Sequence, residues 1–405
     1  MPFSETEEKM WTDLSSKKED RKKSGKELSD RDIENRYEDE EQQILIKINR
    51  EKLSSLIEAM QEEDYMSVSP PYQRRPRWKS KRQSKLIESL IMNIPVPPIL
   101  LYEKNYNSYE VIDGQQRITA IHSFYHNQFK LESLEVWPEL NGRTYQELPK
   151  KIRDGLNYHS LVFIIIIIDP DISLHKKQLL KQRAFERLNT GGIKLEPQEI
   201  RNCVYSRKLN DALKELSQHE KFARAWSTDS QEESNMYQKM EDVELVLRFF
   251  ALRNVEQYKH SIRDFLDLYM INASDFTDED IILLKKLFKD TIDLADKIYG
   301  ETLFKPFMLI PDGKTEAEQS QPLKEYYDAV MVGLSKHIDN PSILINEKNA
   351  SILINEKNVV IEETKRLLRE DTSKIFQGQG SGKKNIQTRI ELFNRMLSQI
   401  INSKI

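Results

Sequence analysis

The sequence predicts an α+β fold, with an α/β core in the N-terminal half followed by an all-α C-terminal half. Up to about residue 200, short apolar runs alternate with helical patterns, and the strongest run is LVFIIIII at 161–168. Eight apolar residues without alternation are typical of a strand covered on both faces. Beyond that point the apolar spacing is mainly helical. A chain of 405 residues has room for two domains of this kind.

These patterns divide the chain into three parts. Residues 1–43 carry mixed charge with few large apolar side chains, which predicts a charged N-terminal arm, either mobile or a loosely held helix. Residues 44–200 hold the α/β elements and begin with a predicted strand, ILIKI. Residues 201–405 hold the predicted helical domain.

Composition excludes several classes of protein. No apolar run approaches the roughly 20 residues that cross a bilayer, and the N-terminus lacks the apolar stretch of a secretory signal. The single cysteine, Cys203, excludes an internal disulfide framework and a cysteine-cluster zinc site. We therefore expect a cytoplasmic protein with no membrane partner. A net charge of −4 argues against non-specific coating of nucleic acid, although a local basic site is compatible with it.

Such a basic segment exists in PYQRRPRWKSKRQSK, residues 71–85, which contains no acidic residue. Basic side chains interleaved with aromatic ones suit contact with phosphates and stacking on bases. The alternative is a solvated charged loop. The candidate nucleic-acid-binding residues are Arg75, Arg77, Trp78, Lys79, Lys81 and Arg82.

A second motif, DGQQR at 113–117, lies where the predicted strand YEVI at 109–112 ends and a helical pattern begins. The unpaired N–H groups at a helix start, together with the helix dipole, favour an anion. Gly114 would let a ligand approach the backbone closely.

The other four residues of this motif supply complementary chemistry. Arg117 offers a planar fork suited to phosphate, and Gln115 and Gln116 can bond a phosphate or a base edge. Asp113 would repel a phosphate unless it holds a metal or polarises a water. The alternative is an ordinary helix start in which Asp113 is the cap and pairs with Arg117.

A third element, FERLNTGGIKLEPQEI at 185–200, predicts a turn at a helix end. Asn189, Gly191 and Gly192 would offer backbone donors or an amide to a ligand. A plain helix C-cap is the alternative.

Four segments, taken in order, resemble the N-terminal domain of the GmrSD type of modification-dependent restriction enzymes. They are PYQRRPRW, IPVPPILLYE, YEVIDGQQRITAI and FERLNTGGIKLEPQEIRN. The similarity covers about residues 45–250. It implies a ParB-like core that binds and hydrolyses nucleoside triphosphates, within prokaryotic anti-phage systems that sense modified DNA. The motif residues that it assigns to the nucleotide site are Tyr72, Gln73, Arg74, Asp113, Gly114, Gln115, Gln116, Arg117, Asn189, Gly191 and Gly192.

One departure from this family concerns the C-terminal half. Full-length relatives usually carry a histidine–metal (HNH) nuclease domain there. The last 155 residues of this chain contain only His260 and His337, which are 77 positions apart and have no acidic or Asn partner in a compact motif. We therefore expect no such nuclease in this chain.

The resemblance and the residues lead to one principal hypothesis, an NTP-hydrolysing sensor or regulator in DNA-directed defence. Asp113, Gln116 and Arg117 are the candidate catalytic residues, with Asp113 holding Mg²⁺ or another divalent cation and Arg74 and Arg117 neutralising the phosphates. Its partners would be DNA, modified or not, and a partner nuclease or defence protein. Self-association is left open.

Two alternatives come from other classes. The first is a DNase acting through the same pocket, which supplies fewer carboxylates than two-metal nucleases use. The second is a non-enzymatic module that binds a nucleotide or DNA and docks a partner.

Overall fold

The structure, a computed structural model, describes most of the chain in segments. The described residues are 4–11, 29–31, 34, 37, 43–62, 64–67, 78–172, 174–188, 197–198, 201, 205, 207–226, 235–258, 261–309, 316–318, 321–338, 347–371, 373–377 and 382–404. They divide into two compact units, an α/β unit (Lys26–Val204) and a helical unit (Met1–Gly25 with Tyr205–Ile405). The predicted α+β class is confirmed.

The α/β unit is built from a sheet and helices. Its strands are β1 (Ile44–Lys52), β2 (Met66–Ser67), β3 (Ile99–Asn105), β4 (Ser108–Asp113) and β5 (Ser160–Ile168). Its helices are α1 (Leu53–Ala59), α2 (Ser80–Ile91), α3 (Gln115–Tyr125), α4 (Lys150–Tyr158) and α5 (Leu174–Leu188). The strands predicted at 44–48, 109–112 and 161–168 are thus confirmed, each extended by one or more residues.

The sheet has the strand order β1-β5-β3-β4-β2 among the described residues and is mixed. β1 pairs antiparallel with β5, β5 parallel with β3, β3 antiparallel with β4, and β4 parallel with the two-residue β2. β5 is therefore an interior strand, which explains its unbroken apolar sequence. A ParB-like topology stays a prediction.

One face of the sheet carries the core of this unit. Leu101, Val111 and Phe163 from the sheet pack in one buried cluster with helical side chains such as Ile118 and Phe124. Alternate strand residues face the same side, and burying each of these large apolar side chains contributes about 1.5–3 kcal/mol. This packing fixes α3 against the sheet, and with it the start of α3.

The opposite face of the sheet contains a buried ion pair. Glu110 on β4 is buried and accepts a hydrogen bond at 2.7 Å from Lys181 of α5, whose side chain is 12% exposed. The Lys181 ammonium also lies 4.8 Å from the centre of the Tyr102 ring. The described part of α5 thus covers this face through a charged contact rather than through apolar packing alone.

The helical unit contains the other ten helices that we label. They are α6 (Arg207–Ser217), α7 (Glu220–Trp226), α8 (Asn235–Gln238), α9 (Glu241–Leu252), α10 (Ile262–Asn272), α11 (Asp278–Tyr299), α12 (Lys324–Ser335), α13 (Glu347–Asn355), α14 (Lys357–Glu370) and α15 (Lys383–Asn402). α10 and α11 each begin with a capping box, which satisfies two N–H groups reciprocally. A two-stranded ribbon, β6 (Phe307–Leu309) with β7 (Glu316–Glu318), completes the described part of this unit.

The beginning of the chain packs within the helical unit. Residues 5–11 are helical, and the Trp11 ring stacks on Phe265 at 5.8 Å between centroids. Glu7 is buried and accepts hydrogen bonds from Asn254 at 2.9 Å and Tyr269 at 3.0 Å. The sequence predicted a mobile arm or a loosely held helix for this stretch. Glu7 and Trp11 have buried partners far along the chain, which local composition does not reveal. Most of residues 12–42 lies outside the described part of the chain, so the expectation for the whole arm stays a prediction.

The sequence predicts no membrane-spanning segment, and the length and apolar composition of the helices bear on this prediction. In the described ranges, no helix combines the length and apolar composition needed to cross a lipid bilayer.

Candidate functional site

The DGQQR motif forms a corner between β4 and α3, which we call the DGQQR corner (residues 113–117). Asp113 is the last residue of β4, and Gly114 precedes the first helical residue, Gln115. The corner is held by the chain on both sides: β4 pairs with β3, and α3 is buried against the sheet. The strand–helix junction is therefore where the sequence placed it, and its role as a site stays a prediction.

Gly114 has the backbone conformation that makes the corner possible. Its φ is +95°, a left-handed value that side-chain-bearing residues rarely adopt. A Cβ at this position would lie 2.4 Å from Cδ1 of Ile99 and 2.9 Å from Nη2 of Arg117. Gly114 is thus required both by its φ and by the close approach of two side chains.

The helix start at this corner has no side-chain cap. Gly114, rather than Asp113, is the N-cap residue of α3, and no side chain accepts a hydrogen bond there. The first helical bond runs from Ile118 N–H to Gly114 O at 3.0 Å. Among the described residues, the backbone N–H groups of Gln116 and Arg117 have no acceptor. An ordinary helix start would have Asp113 as a side-chain cap, and that cap is absent. The N–H groups it leaves unpaired are donors of the kind that suit an anion.

The ordinary helix start also predicted that Asp113 pairs with Arg117, and this pair is present. Arg117 Nη2 donates to Asp113 Oδ2 at 2.8 Å, and Arg117 Nη1 donates to Pro97 O at 2.9 Å. The side chains are 11% and 29% exposed for Arg117 and Asp113 respectively. The guanidinium is therefore a clamp that holds the corner to the residues before β3, and the carboxylate is its more accessible partner.

The electrostatics follow from this geometry. Burial lowers the pKa of Arg117, and the Asp113 carboxylate opposes that shift. An arginine pKa lies so far above neutrality that the guanidinium stays charged. The corner thus presents a fixed positive charge next to a partly exposed carboxylate, a combination that accepts an anionic ligand when a cation or a hydrogen-bonded water shares Asp113.

One part of the basic segment meets the corner. The backbone N–H of Trp78 donates to Gln116 Oε1 at 3.4 Å. The guanidinium of Arg82 lies 4.7 Å from the centre of the Trp78 ring, so one face of that ring is already covered. The structure therefore joins two elements that the sequence analysis treated separately, and orients the Gln116 amide.

The remaining described residues of the basic segment are at the surface. Lys79 is the N-cap residue of α2, and Lys79, Lys81 and Arg82 are all exposed. They lie at the start of a helix whose buried side packs in the core of the unit. Their role in binding nucleic acid stays a prediction.

Several predicted residues lie outside the described part of the chain. They are Tyr72, Gln73, Arg74, Arg75 and Arg77 of the basic segment and Asn189, Gly191 and Gly192 of the third element.

Asp113 is the predicted metal ligand, and the question is whether other ligating side chains lie near it. Within the described residues, no group of three or more His, Cys, Asp or Glu side chains is placed to hold a metal ion. The other acid on β4 near the corner, Glu110, pairs with Lys181. Mg²⁺ is often bound by one or two carboxylates together with substrate phosphates. Asp113 fits that mode, in which the nucleotide supplies most of the ligands.

The sequence analysis missed two features of this region. The carbonyl of Pro97 fixes Arg117, and the only sequence signal nearby was a cluster of prolines that ends the preceding helix. A cavity of about 310 Å³ also lies on the core face of the sheet, lined by Asn49, Glu51, Tyr65, Leu101, Asn107, Tyr109, Phe163 and Ile165. Tyr109 precedes Asp113 by four residues on β4, about 13 Å along the strand, so this cavity is separate from the corner.

His337, one of the two histidines in the last 155 residues, has a partner that is distant in sequence. His337 Nε2 lies 3.0 Å from Oδ1 of Asn394 on α15. The sequence analysis looked for Asn partners in a compact motif, and 57 positions separate these two residues.

The fold and the corner define an α/β domain with a strand–helix junction that has no side-chain cap, followed by a helical unit. Residues 53–206 match the family model of the GmrSD restriction endonuclease, N-terminal domain. This match confirms the resemblance drawn from the motifs and indicates a component of a restriction system. No curated protein and no solved structure matches the chain.

Proposed function

We propose that this chain is the nucleotide-responsive component of a DNA-targeting restriction system, and that it binds and hydrolyses a nucleoside triphosphate at the DGQQR corner. The observation that carries the proposal is the uncapped start of α3. It combines unpaired N–H groups at Gln116 and Arg117 with a left-handed glycine at the N-cap position, which brings no side chain of its own to the helix start. Such helix starts are a common way of binding phosphate.

The charges at the corner support a phosphate ligand. The Arg117 guanidinium is fixed by Asp113 and Pro97, so it loses little side-chain entropy when a phosphate binds. A guanidinium held in place before the reaction stabilises charge that develops on the phosphate oxygens, which is the main catalytic need in phosphoryl transfer. Gln116, oriented by the Trp78 N–H, would donate through its amide nitrogen.

Asp113 is the residue we assign to water or metal. In hydrolysis a water oxygen attacks the terminal phosphorus, the bond from that phosphorus to the bridging oxygen breaks, and a nucleoside diphosphate and phosphate leave. The partly exposed Asp113 carboxylate would accept a hydrogen bond from the attacking water. A bound Mg²⁺ would be held by Asp113 and the nucleotide, and it would neutralise negative charge on the phosphates.

The role in DNA restriction rests on the family match and on the exposed basic start of α2. We propose that Lys79, Lys81 and Arg82 contact the DNA backbone, and that cleavage belongs to a partner nuclease or defence protein.

The test is phosphate release from GTP, ATP and CTP with Mg²⁺, with and without DNA, by the full chain. We compare wild type with Asp113→Asn, which keeps the shape of the side chain, and with Asp154→Asn, the same change at an exposed site on α4. We expect Asp113→Asn to lower the rate roughly 100-fold or more and Asp154→Asn to leave it unchanged. Equal rates in all three proteins would remove Asp113 from the mechanism.

A nucleotide-binding measurement separates the other hypotheses. Binding without any phosphate release would identify a non-enzymatic switch. Nicking of plasmid DNA by the pure protein with Mg²⁺, abolished by Asp113→Asn, would instead identify a DNase acting through the corner.

A further inference from the structure

The outer edge of β1 combines exposed apolar side chains with unpaired backbone groups. Leu45, Ile46 and Ile48 are 66%, 67% and 70% exposed. β1 is the end strand of the sheet, and in the described part of the chain no strand pairs with its outer side. Soluble proteins usually protect such an edge with charge, proline or a covering element, because it is a ready template for another strand.

The hydrogen-bonding pattern between β1 and β5 shows which residues of β1 direct their backbone N–H and C=O groups to the outer edge. The ladder with β5 is flanked by bonds from Asp169 N–H to Gln43 O (3.0 Å) and from Leu53 N–H to His159 O (2.9 Å). In an antiparallel pair, hydrogen-bonded residues alternate. The odd-numbered residues of β1 therefore bond to β5, and the even-numbered residues direct their N–H and C=O groups to the outer edge.

The free part of this edge is short. The N–H of Arg50 is already taken by Oδ1 of Asn49 at 2.9 Å. Among the described residues, the outward N–H groups of Ile44, Ile46 and Ile48 have no acceptor. The available edge is therefore the five residues 44–48, ILIKI.

We propose that this edge pairs with the same edge of a second copy of the chain, antiparallel about a two-fold axis at Ile46. In this register Ile46 faces Ile46 of the other copy, and Ile44 faces Ile48 in both directions. All three pairs use outward-directed N–H and C=O groups, so each is a hydrogen-bonded pair. The two five-stranded sheets then join into one.

The side chains favour this register over its neighbours. It places three isoleucines of each copy on one face, beside Ile164, Ile166 and Ile168 of β5, so that the apolar rows of the two sheets become continuous. On the other face Leu45 lies opposite Lys47.

A two-fold axis at Lys47 would instead place the two Lys47 side chains, which carry the same charge, directly opposite each other. A two-fold at Ile48 would need the Arg50 N–H that Asn49 already holds. A second copy is thus the occupant whose sequence and bonding pattern complement this edge.

The first test is the mass of the full-length protein in solution by sedimentation velocity, from about 1 µM to 100 µM, where a reversible dimer changes its population. We expect a dimer, and we expect Ile46→Lys to weaken self-association at least about tenfold, because the two introduced charges face each other across the axis. Ile282→Lys is the matched control, since Ile282 lies on α11 and is 64% exposed, and it should leave the dimer unchanged. Circular dichroism and the midpoint of thermal unfolding should show that both variants fold.

A monomeric wild type at every concentration overturns the proposal. So does a dimer that tolerates Ile46→Lys as well as it tolerates Ile282→Lys. Neither result depends on nucleotide hydrolysis, so the proposed function is tested separately.

The second test checks the register by disulfide formation, in a chain whose single cysteine is removed by Cys203→Ser. Residues 45 and 47 of the two copies form a non-hydrogen-bonded pair with Cα atoms about 4.5 Å apart, within reach of a disulfide. A mixture of Leu45→Cys and Lys47→Cys proteins should cross-link on oxidation, and neither variant should cross-link alone. Cross-linking of Lys47→Cys with itself places the axis at residue 47 and overturns the register.

Discussion

The two units of the molecule each contain an aspartate paired with arginine, and the two pairs differ in what they leave accessible. In the α/β unit, Asp113 accepts one hydrogen bond from Arg117 and keeps 29% of its side chain exposed. In the helical unit, Asp328 on α12 is completely buried between Arg248 of α9 and Arg389 of α15. Asp328 therefore has no approach for a ligand, whereas Asp113 does.

The buried group of the helical unit is internally satisfied. Arg248 donates to both carboxylate oxygens of Asp328, with Nε to Oδ1 at 3.1 Å, and Arg389 donates to Oδ2 at 2.5 Å. Burial alone would lower the pKa of Arg248, but the Asp328 carboxylate raises it above its ordinary value. This geometry ties three helices together, while the corner geometry exposes a carboxylate at a strand end. The same ion-pair chemistry thus serves packing in one unit and ligand access in the other.

The largest expected effect comes from neutralising the buried aspartate. Asp328→Asn leaves two buried guanidinium groups without a counter-charge, and we expect it to lower the free energy of unfolding by about 3–5 kcal/mol. Asp113→Asn, the same change at the half-exposed corner, should cost no more than about 1 kcal/mol. Urea unfolding of the full chain, followed by circular dichroism, measures both values.

A triple variant sharpens this comparison. Replacing the whole group by Asp328→Leu with Arg248→Met and Arg389→Met leaves no unpaired charge, so it should be more stable than Asp328→Asn alone. If Asp113→Asn proved as destabilising as Asp328→Asn, the corner carboxylate would have the structural role that we assign to Asp328.

The sequence allowed much of the α/β unit to be predicted, because its signals are local. The apolar run of β5 and the glycine between β4 and α3 marked the sheet and the corner directly. The clamp on Arg117 was not predictable, since the carbonyl of Pro97 is brought to it by the pairing of β3 with β4. Contacts of this kind depend on tertiary structure and leave no pattern in a single sequence.

The helical unit shows the limit of sequence patterns more clearly. The sequence predicted a helical domain over residues 201–405 without identifying α12 within it. Its residues Tyr326–Ser335 are buried on every side, so it lacks the one-sided apolar period by which surface helices are recognised. The sequence also gives no sign that Asp328 is buried, because its two arginine partners lie 80 and 61 positions away.

A medium effect is expected from a methyl group at the corner. Gly114→Ala must adopt a φ of +95° and places Cβ 2.4 Å from Cδ1 of Ile99. We expect a loss of about 2–3 kcal/mol in unfolding free energy, from backbone strain and steric contact together. Gly142→Ala is the matched control, because Gly142 has a φ of +80° but open space around its Cβ position. It should cost about 1 kcal/mol, from strain alone.

A second variant removes the steric contact between the new Cβ at position 114 and Cδ1 of Ile99. Ile99→Val removes the Cδ1 atom, so in the double variant the penalty of Gly114→Ala should fall toward that of Gly142→Ala but stay above it, because Nη2 of Arg117 still lies 2.9 Å from the Cβ position. Equal losses for the two single glycine variants would show that Ile99 yields without cost and that the corner is less tightly packed than its geometry indicates.

The smallest expected effect is a dependence of stability on pH. Burial lowers the pKa of two described histidines in each unit, His122 and His159 in the α/β unit and His219 and His337 in the helical unit, and we test one from each. Burial lowers the pKa of His122 on α3, and the neighbouring His126 adds to that shift. Burial also lowers the pKa of His337, where the hydrogen bond with Asn394 opposes the shift. Histidine in an unfolded chain titrates near pH 6.5. Below that pH the unfolded chain binds more protons than the folded one, so the free energy of unfolding falls as pH decreases.

Unfolding in urea at pH 7.5 and at pH 5.5 measures this slope. His122→Gln and His337→Gln should each flatten it by about 1 kcal/mol or less, because glutamine does not take up a proton in this range. Glutamine at 337 can still bond to Asn394, so the loss of titration is separated from the loss of that contact. If His122→Gln alone flattens the slope, proton-linked stability belongs to the α/β unit beside the corner. Stability that rises on acidification in the wild type would contradict the burial of both rings.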